Sequence, residues 1–323
     1  MPNKSIPATR TIVMTGATRG LGHVAAIKLL ADAPDAQLVV ITRSDSAKTV
    51  AELRKASGNP HVSGVKADLS SLDSIRAAAT DIKSDLGRKV LPPLAGFIGN
   101  AGLQLLRATD VSADGIEATF AVNVLANYML VEELREHFTV PARIVLTTSD
   151  THFGDFKHNM GMVPAPHWRD PIDLSAPGTA EKPDGAVAGR TAYSTSKLGL
   201  IYLTHALAKR LPAGVDVFSF NPGLVPGTGL VRDSGPISRF AFRRIMLLMT
   251  LTPYARSLTV SGADLAAAAI GPIAADSGSY INGANVEPSS PQSNDPTRED
   301  ALWEELTRLA HATDILVPVA ARN

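Results

Sequence analysis

Short runs of β-branched and apolar residues recur along this chain, each followed by a longer stretch whose apolar residues return at helical spacing. The runs are TIVMT at 11–15, LVVIT at 38–42, VSGVKA from Val62, LAGFIG from Leu94, RIVLTT at 143–148 and VDVFSF from Val215. Between and after them, helix-spaced apolar residues occupy 21–30, 47–57, 72–86, 115–136 and 193–211. Strands that alternate with helices of this length predict an α/β fold: a doubly wound parallel sheet with helices on both faces.

The remaining punctuation divides the chain without splitting it. No composition break or repeat of solenoid length interrupts residues 1–323, so a single domain is expected. The stretch 151–190, rich in Pro, Gly, His and Asp, reads as an insert loop, too long to be an idle connection. Residues 224–257 read as a substrate lid, with Gly and Pro hinges followed by an apolar wall that includes Phe240, Phe242 and Met246. The tail, 288–323, starts as a Ser/Pro linker and carries an amphipathic helix at 298–310.

Composition removes several function classes. Lys plus Arg equals Asp plus Glu at 31 each, which argues against a polyanionic partner and so against nucleic acid. With no cysteine, disulfides, thiolate metal ligands and thiol nucleophiles are excluded. His152, His158 and His167 fit no metal-ligand spacing, and no metal site is expected. No apolar run is long enough for a membrane span and no hydrophobic signal core precedes the first strand, which points to the cytoplasm. The basic and aromatic stretch 237–251 keeps a peripheral membrane contact open as an alternative to a lid.

Chemistry concentrates at a few motifs. TGATRGLG, Thr15 to Gly22, stands where the first strand meets the first helix. Gly16 suits a tight turn, Gly20 a close approach of backbone to pyrophosphate, and Gly22 close packing of helix on sheet. Arg43 follows the second strand, where a carboxylate would accept from an adenosine ribose; its guanidinium and that of Arg19 suit a 2′-phosphate instead, which implies NADP(H). YSTSK places Tyr193 and Lys197 on one helix face, where the ammonium is expected to lower the phenol pKa from about 10.

Taken with NAG at Asn100, Ala101 and Gly102, with Asn123, with Ser149, and with NPG at 221–223, these motifs resemble, in order, those of the short-chain dehydrogenase/reductase family. The resemblance covers about 11–223 and implies a Rossmann-type, three-layer α/β/α domain. It further implies that Tyr193 donates a proton, Ser149 holds the substrate oxygen, Lys197 binds the nicotinamide ribose, and Asn123 supports a water linked to Lys197. Around the cofactor it implies Gly16, Thr18, Arg19, Gly20, Leu21, Gly22, Arg43, Asp68, Leu69, Asn100, Ala101, Gly102, Tyr193, Lys197, Pro222, Gly223, Val225 and Thr228. Thr228 stands one position away from the family's usual threonine. GSYINGANVEPSS and ALWEEL, with the long insert, are similar to the retinol dehydrogenase and protochlorophyllide reductase branch. The missing cysteine favours a dark reductase over a photoenzyme.

The resulting expectation is an NADPH-dependent carbonyl reductase or alcohol dehydrogenase. Its partner is a small apolar carbonyl or alcohol compound, and it works as a monomer or homo-oligomer. A nucleotide-binding regulator or membrane-associated protein with little turnover is the alternative.

Overall fold

The computed structural model describes residues 6–180, 182–225 and 255–312. Eight strands form one sheet: β1 (Arg10–Thr15), β2 (Ala36–Thr42), β3 (Val62–Lys66), β4 (Leu94–Gly99), β5 (Phe138–Thr147), β6 (Val215–Asn221), β7 (Tyr280–Asn282) and β8 (Asn285–Glu287). Their spatial order is β3-β2-β1-β4-β5-β6-β7-β8, parallel throughout except for the antiparallel β7–β8 edge. The order reverses between β1 and β4, a switch point where open α/β sheets leave a crevice at the carboxyl ends of their strands.

Residues on successive positions of the central strands are buried on opposite faces, which explains their nearly continuous apolar runs. Val13, Val39, Ile41, Ile144 and Leu146 join one apolar cluster. Ile12, Met14, Leu38, Val40 and Val145 join the other.

The helices follow from the same pattern. They are α1 (Gly20–Asp32), α2 (Ala47–Ser57), α3 (Leu72–Gly87), α4 (Ala118–Phe120), α5 (Ala126–Leu134), α6 (Phe156–Asn159), α7 (Pro171–Ser175), α8 (Ala186–Arg210), α9 (Leu258–Ile270) and α10 (Pro296–His311). The first face is covered by α3, α5, α8 and α10, through residues such as Ile82, Leu130, Leu203 and Leu306. On the second face lie α1, α2 and α9, through Leu29, Leu53 and Leu265.

Four expectations are corrected. The helix expected over 115–136 contains a π-helical turn, Ala121–Leu125, between α4 and α5. The helix that carries YSTSK starts at Ala186, well before Tyr193. The stretch 151–190 is more ordered than a loop: it holds a 3-10 turn at Asp150–His152, then α6, α7 and the start of α8. The expected linker is anchored, since Ser290 and Ser293 are fully buried around a 3-10 turn at Pro291–Ser293.

Only the ends of the expected lid, 224–257, fall within the described residues; 226–254 and the proposed membrane stretch 237–251 lie outside them. Leu224 and Ala255 form a parallel bridge, and the Arg256 amide donates to the Leu224 carbonyl at 2.9 Å. Among the described residues no helix is long and apolar enough to cross a membrane.

Candidate active site

Every sequence-predicted position in the described residues lies at or just beyond the carboxyl end of a parallel strand, or on a helix packed beside one. Gly16 follows β1 with φ +74°, a left-handed conformation that glycine adopts without strain. Gly22, in the first turn of α1, shows why no side chain is tolerated there. A Cβ would stand 2.2 Å from the Gly16 carbonyl oxygen and 2.3 Å from Asn100 Nδ2. Arg19 is the N-cap residue of α1 but makes no side-chain cap, and the first turn holds no acidic residue. The leading N–H groups of α1 are therefore suited to a phosphate. Thr18 and Arg19 are exposed, Gly20 opens the helix and Leu21 is buried beneath it.

Arg43 stands exposed one residue past β2, on the same rim. Asp68, past β3, accepts from the Ser70 amide at 2.9 Å and the Ser70 hydroxyl at 2.7 Å. Burial pushes its carboxyl upward, but those hydrogen bonds and the Arg43 charge hold it below the usual range. Leu69 packs its side chain on the first apolar cluster.

Past β4, the amides of Asn100 and Ala101 both donate to Thr15 Oγ1, at 3.1 and 3.0 Å, while Asn100 Nδ2 donates to the Gly16 carbonyl at 3.1 Å. These bonds fasten the turn after β4 to the glycine turn after β1. Past β6, Gly223 donates to Asn221 Oδ1 at 3.1 Å, and Ser261 Oγ donates to the Pro222 carbonyl at 2.8 Å. Val225 is buried, and Thr228 lies outside the described residues. The glycine cradle, the uncapped helix start and the exposed arginine pair fit a nicotinamide dinucleotide laid across the β1/β4 crevice.

Ser149 sits two residues beyond β5, its hydroxyl accepting from the Thr151 amide at 3.3 Å. Tyr193 and Lys197 lie on α8, with only 6% and 4% of their surface exposed. Lys197 Nζ donates to the Thr147 carbonyl at 2.8 Å and lies 5.5 Å from the centre of the Tyr193 ring. Burial pushes the Tyr193 phenol up to about 12, with a hydrogen bond from the Ser149 hydroxyl opposing it. Burial also pushes Lys197 down to about 8. The expected lowering of the Tyr193 pKa by Lys197 is not what this geometry gives: burial raises the phenol, the Ser149 hydroxyl is what opposes it, and Lys197 Nζ is turned toward the Thr147 carbonyl.

Asn123 occupies the π-helical turn. Its Oδ1 accepts from the Leu103 amide at 2.8 Å, and its Nδ2 donates to the Leu103 carbonyl and to Ser196 Oγ, each at 2.9 Å. A Cβ on Gly102 would lie 3.4 Å from Asn123 Oδ1 and 3.6 Å from Lys197 Nζ, so the turn after β4 passes between these two side chains.

The structure also gives parts to residues to which the sequence motifs assigned none: Thr15, which binds two amides, Ser196, which braces Asn123, and His152, which is buried beside Ser149. Thr15 could have been found as a polar residue closing an apolar strand. Among the described residues no group of three or more His, Asp or Glu is placed to share a metal ion.

Residues 10–160 match the family model described as short chain dehydrogenase. A candidate daunorubicin C-13 ketoreductase of Streptomyces sp. is 30% identical over 311 residues, covering 94% of this chain and 93% of that protein. Human retinol dehydrogenase 13 is 28% identical over 313 residues, covering 95% of this chain and 86% of its own. The crystal structure of an NADPH-bound carbonyl reductase from chicken fatty liver superposes with a TM-score of 0.57 at 19% identity, covering 87% of this chain and all of that one, a likeness of fold alone.

Proposed function

The chain belongs to the short-chain dehydrogenase/reductase family, and on that premise we propose that it is an NADPH-dependent carbonyl reductase, reversibly an alcohol dehydrogenase, for apolar ketones, aldehydes or secondary alcohols. The observation that carries this reading is the convergence of Ser149, Tyr193 and Lys197 beside the glycine turn. Arg19 and Arg43 support NADP(H) over NAD(H), since both are exposed on the rim where a 2′-phosphate would sit. A relative named for reducing the C-13 ketone of daunorubicin supports a bulky carbonyl substrate.

Gly16, Thr18, Arg19, Gly20, Leu21, Gly22 and Arg43 would hold the phosphates, Asp68 and Leu69 the adenine, and Asn100, Ala101, Gly102, Lys197, Pro222, Gly223 and Val225 the nicotinamide half. The bound dinucleotide supplies the hydride in reduction and accepts it in oxidation.

The protein supplies the rest. Reduction builds negative charge on the substrate oxygen, and the hydroxyls of Ser149 and Tyr193 stabilise it where it develops. A phenol pushed up to about 12 remains protonated at neutral pH, which is the form reduction consumes. Tyr193 gives its proton to the oxygen, and Lys197, braced on Thr147, orients the ribose. Asn123 keeps the Leu103 turn and Ser196 in register behind them. We place this activity in one cytoplasmic domain, monomeric or homo-oligomeric.

The test is NADPH oxidation against a panel of retinal-like, steroidal and polyketide carbonyls, with NADH alongside. Turnover of at least one bulky carbonyl with NADPH preferred is expected. No turnover on any of them would overturn the reading.

A further inference from the structure

His152 lies three residues beyond Ser149, at the end of the 3-10 turn that Ser149 caps, and none of its surface is exposed. Its Nδ1 is 2.7 Å from the Ser149 carbonyl oxygen, which can only accept, so Nδ1 carries the hydrogen. Its Nε2 is 3.1 Å from the Ser290 amide, which can only donate, so Nε2 offers its lone pair. The two partners fix one neutral tautomer. The His152 carbonyl in turn accepts from Gln292 Nε2 at 2.9 Å.

The neighbouring groups close the frame. The imidazole packs against Phe153 and Tyr280 with ring centres 4.2 and 5.1 Å away, and Tyr280 Oη donates to Asp150 Oδ1 at 2.7 Å. The backbone of Ser149 lies beyond the last parallel-sheet bond of β5, which the Thr148 amide makes to the Phe220 carbonyl at 2.7 Å. Among the described residues, the Ser149 carbonyl is held by His152 alone, through the imidazole and through the His152 amide at 3.2 Å.

We propose that His152 is a positioning residue for Ser149, fixing its backbone so that its hydroxyl meets that of Tyr193, with Ser290–Gln292 as the anchor. The proposal rests on the reading of Ser149 as the hydroxyl that holds the substrate oxygen. It gives the C-terminal segment a part in the chemistry: what was expected to be a linker sets the far side of the site.

Two substitutions separate positioning from general support. His152→Asn places an N–H where Nδ1–H stands and leaves Ser290 without an acceptor. His152→Gln places an oxygen near the position of Nε2 and removes the donor to Ser149. Because small misplacements of a reacting group cost rate steeply, His152→Gln is expected to lower kcat by about tenfold to a hundredfold, with KM and NADPH affinity unchanged. His152→Asn should recover most of that loss even if it melts at a lower temperature. Loss of kcat that follows melting temperature in both variants, or no loss in either, overturns the proposal.

If the parent protein turns over no carbonyl, the functional reading fails, and amide exchange with NADPH bound decides this inference instead. The Thr151 amide, which donates to Ser149 Oγ, should then exchange faster in His152→Gln than in His152→Asn. Equal exchange overturns it.

Discussion

Tyr193, the proposed proton donor, is almost completely buried, so its ionisation is set by desolvation. Replacing it by Phe keeps the ring and its packing and removes only the oxygen. Tyr193→Phe is therefore expected to cut carbonyl turnover by roughly a hundredfold to ten-thousandfold while NADPH titration by fluorescence changes little. Turnover at the parent rate would take Tyr193 out of the proton path. Glu117 shows the same physics outside the site. It is 5% exposed and caps α4 by accepting from the Phe120 amide at 2.6 Å. Burial pushes its carboxyl up to about 7, against hydrogen bonds from Phe120 and Thr119. A folded pKa above the unfolded one contributes stability that is complete below about 4.5 and is lost as pH rises through about 7, in all about 3 kcal/mol. His152 runs the other way: burial pushes it down to about 4, so its contribution is complete above about 6.5 and is lost as pH falls through about 4. Glu117→Gln keeps the cap and removes the ionisation. Its urea midpoint should exceed the parent's by a margin that widens from pH 5 to pH 8; a constant margin would show that Glu117 ionises freely in the folded protein.

At the scale of elements, legibility followed punctuation. Helix α2 was readable to the residue because Ser46 precedes it and Gly58, at φ +74°, ends it. Strands β7 and β8 have three residues each, too few for any period to show, and they exist through pairing with β6 and with each other. The π-helical turn around Asn123 leaves no mark in apolar spacing, because every residue from Ile116 to Val131 is buried and no exposed face is there to show a change of period. The site divides in the same way. Gly16, Gly22, Ser149, Tyr193 and Lys197 were legible as candidates because the chemistry proposed for them calls for those residue types at those spacings. Ser196 and His152 were not, because their partners, Asn123 and Ser290, come from distant parts of the chain. The glycine turn gives this scale its prediction. Gly22→Ala puts a methyl within 2.2 Å of a backbone oxygen that cannot rotate away. It should cost about 1–3 kcal/mol of stability and weaken NADPH binding. The control is Gly87→Ala at the end of α3, where nothing stands within 4 Å of a new Cβ. That change should be neutral or stabilising by up to about 1 kcal/mol. Equal NADPH affinity in the two variants would dissociate the turn from the cofactor.

The whole molecule is organised by strands that serve two cores at once. Along β1, Val13 enters one apolar cluster while Ile12 and Met14 enter the other; along β5, Ile144 and Leu146 are divided from Val145 in the same way. Damage on one face is therefore transmitted through shared backbone to the other. Leu306 on α10 and Leu265 on α9 are both fully buried, on opposite faces. Truncating either to Ala should cost about 2–5 kcal/mol. Trp168 and Trp303 both pack against the first cluster, so their fluorescence reports that face alone, whereas far-ultraviolet dichroism reports the entire sheet. If the chain is one domain, Leu265→Ala must shift the fluorescence transition as far as the dichroism transition, although neither tryptophan touches its cluster. NADPH at a hundredfold excess over Kd should then add about 2.7 kcal/mol to the parent and to both variants alike. A fluorescence midpoint left in place by Leu265→Ala, or a second transition that NADPH does not move, would show that the two sides of the sheet unfold separately and that the cofactor crevice belongs to only one of them.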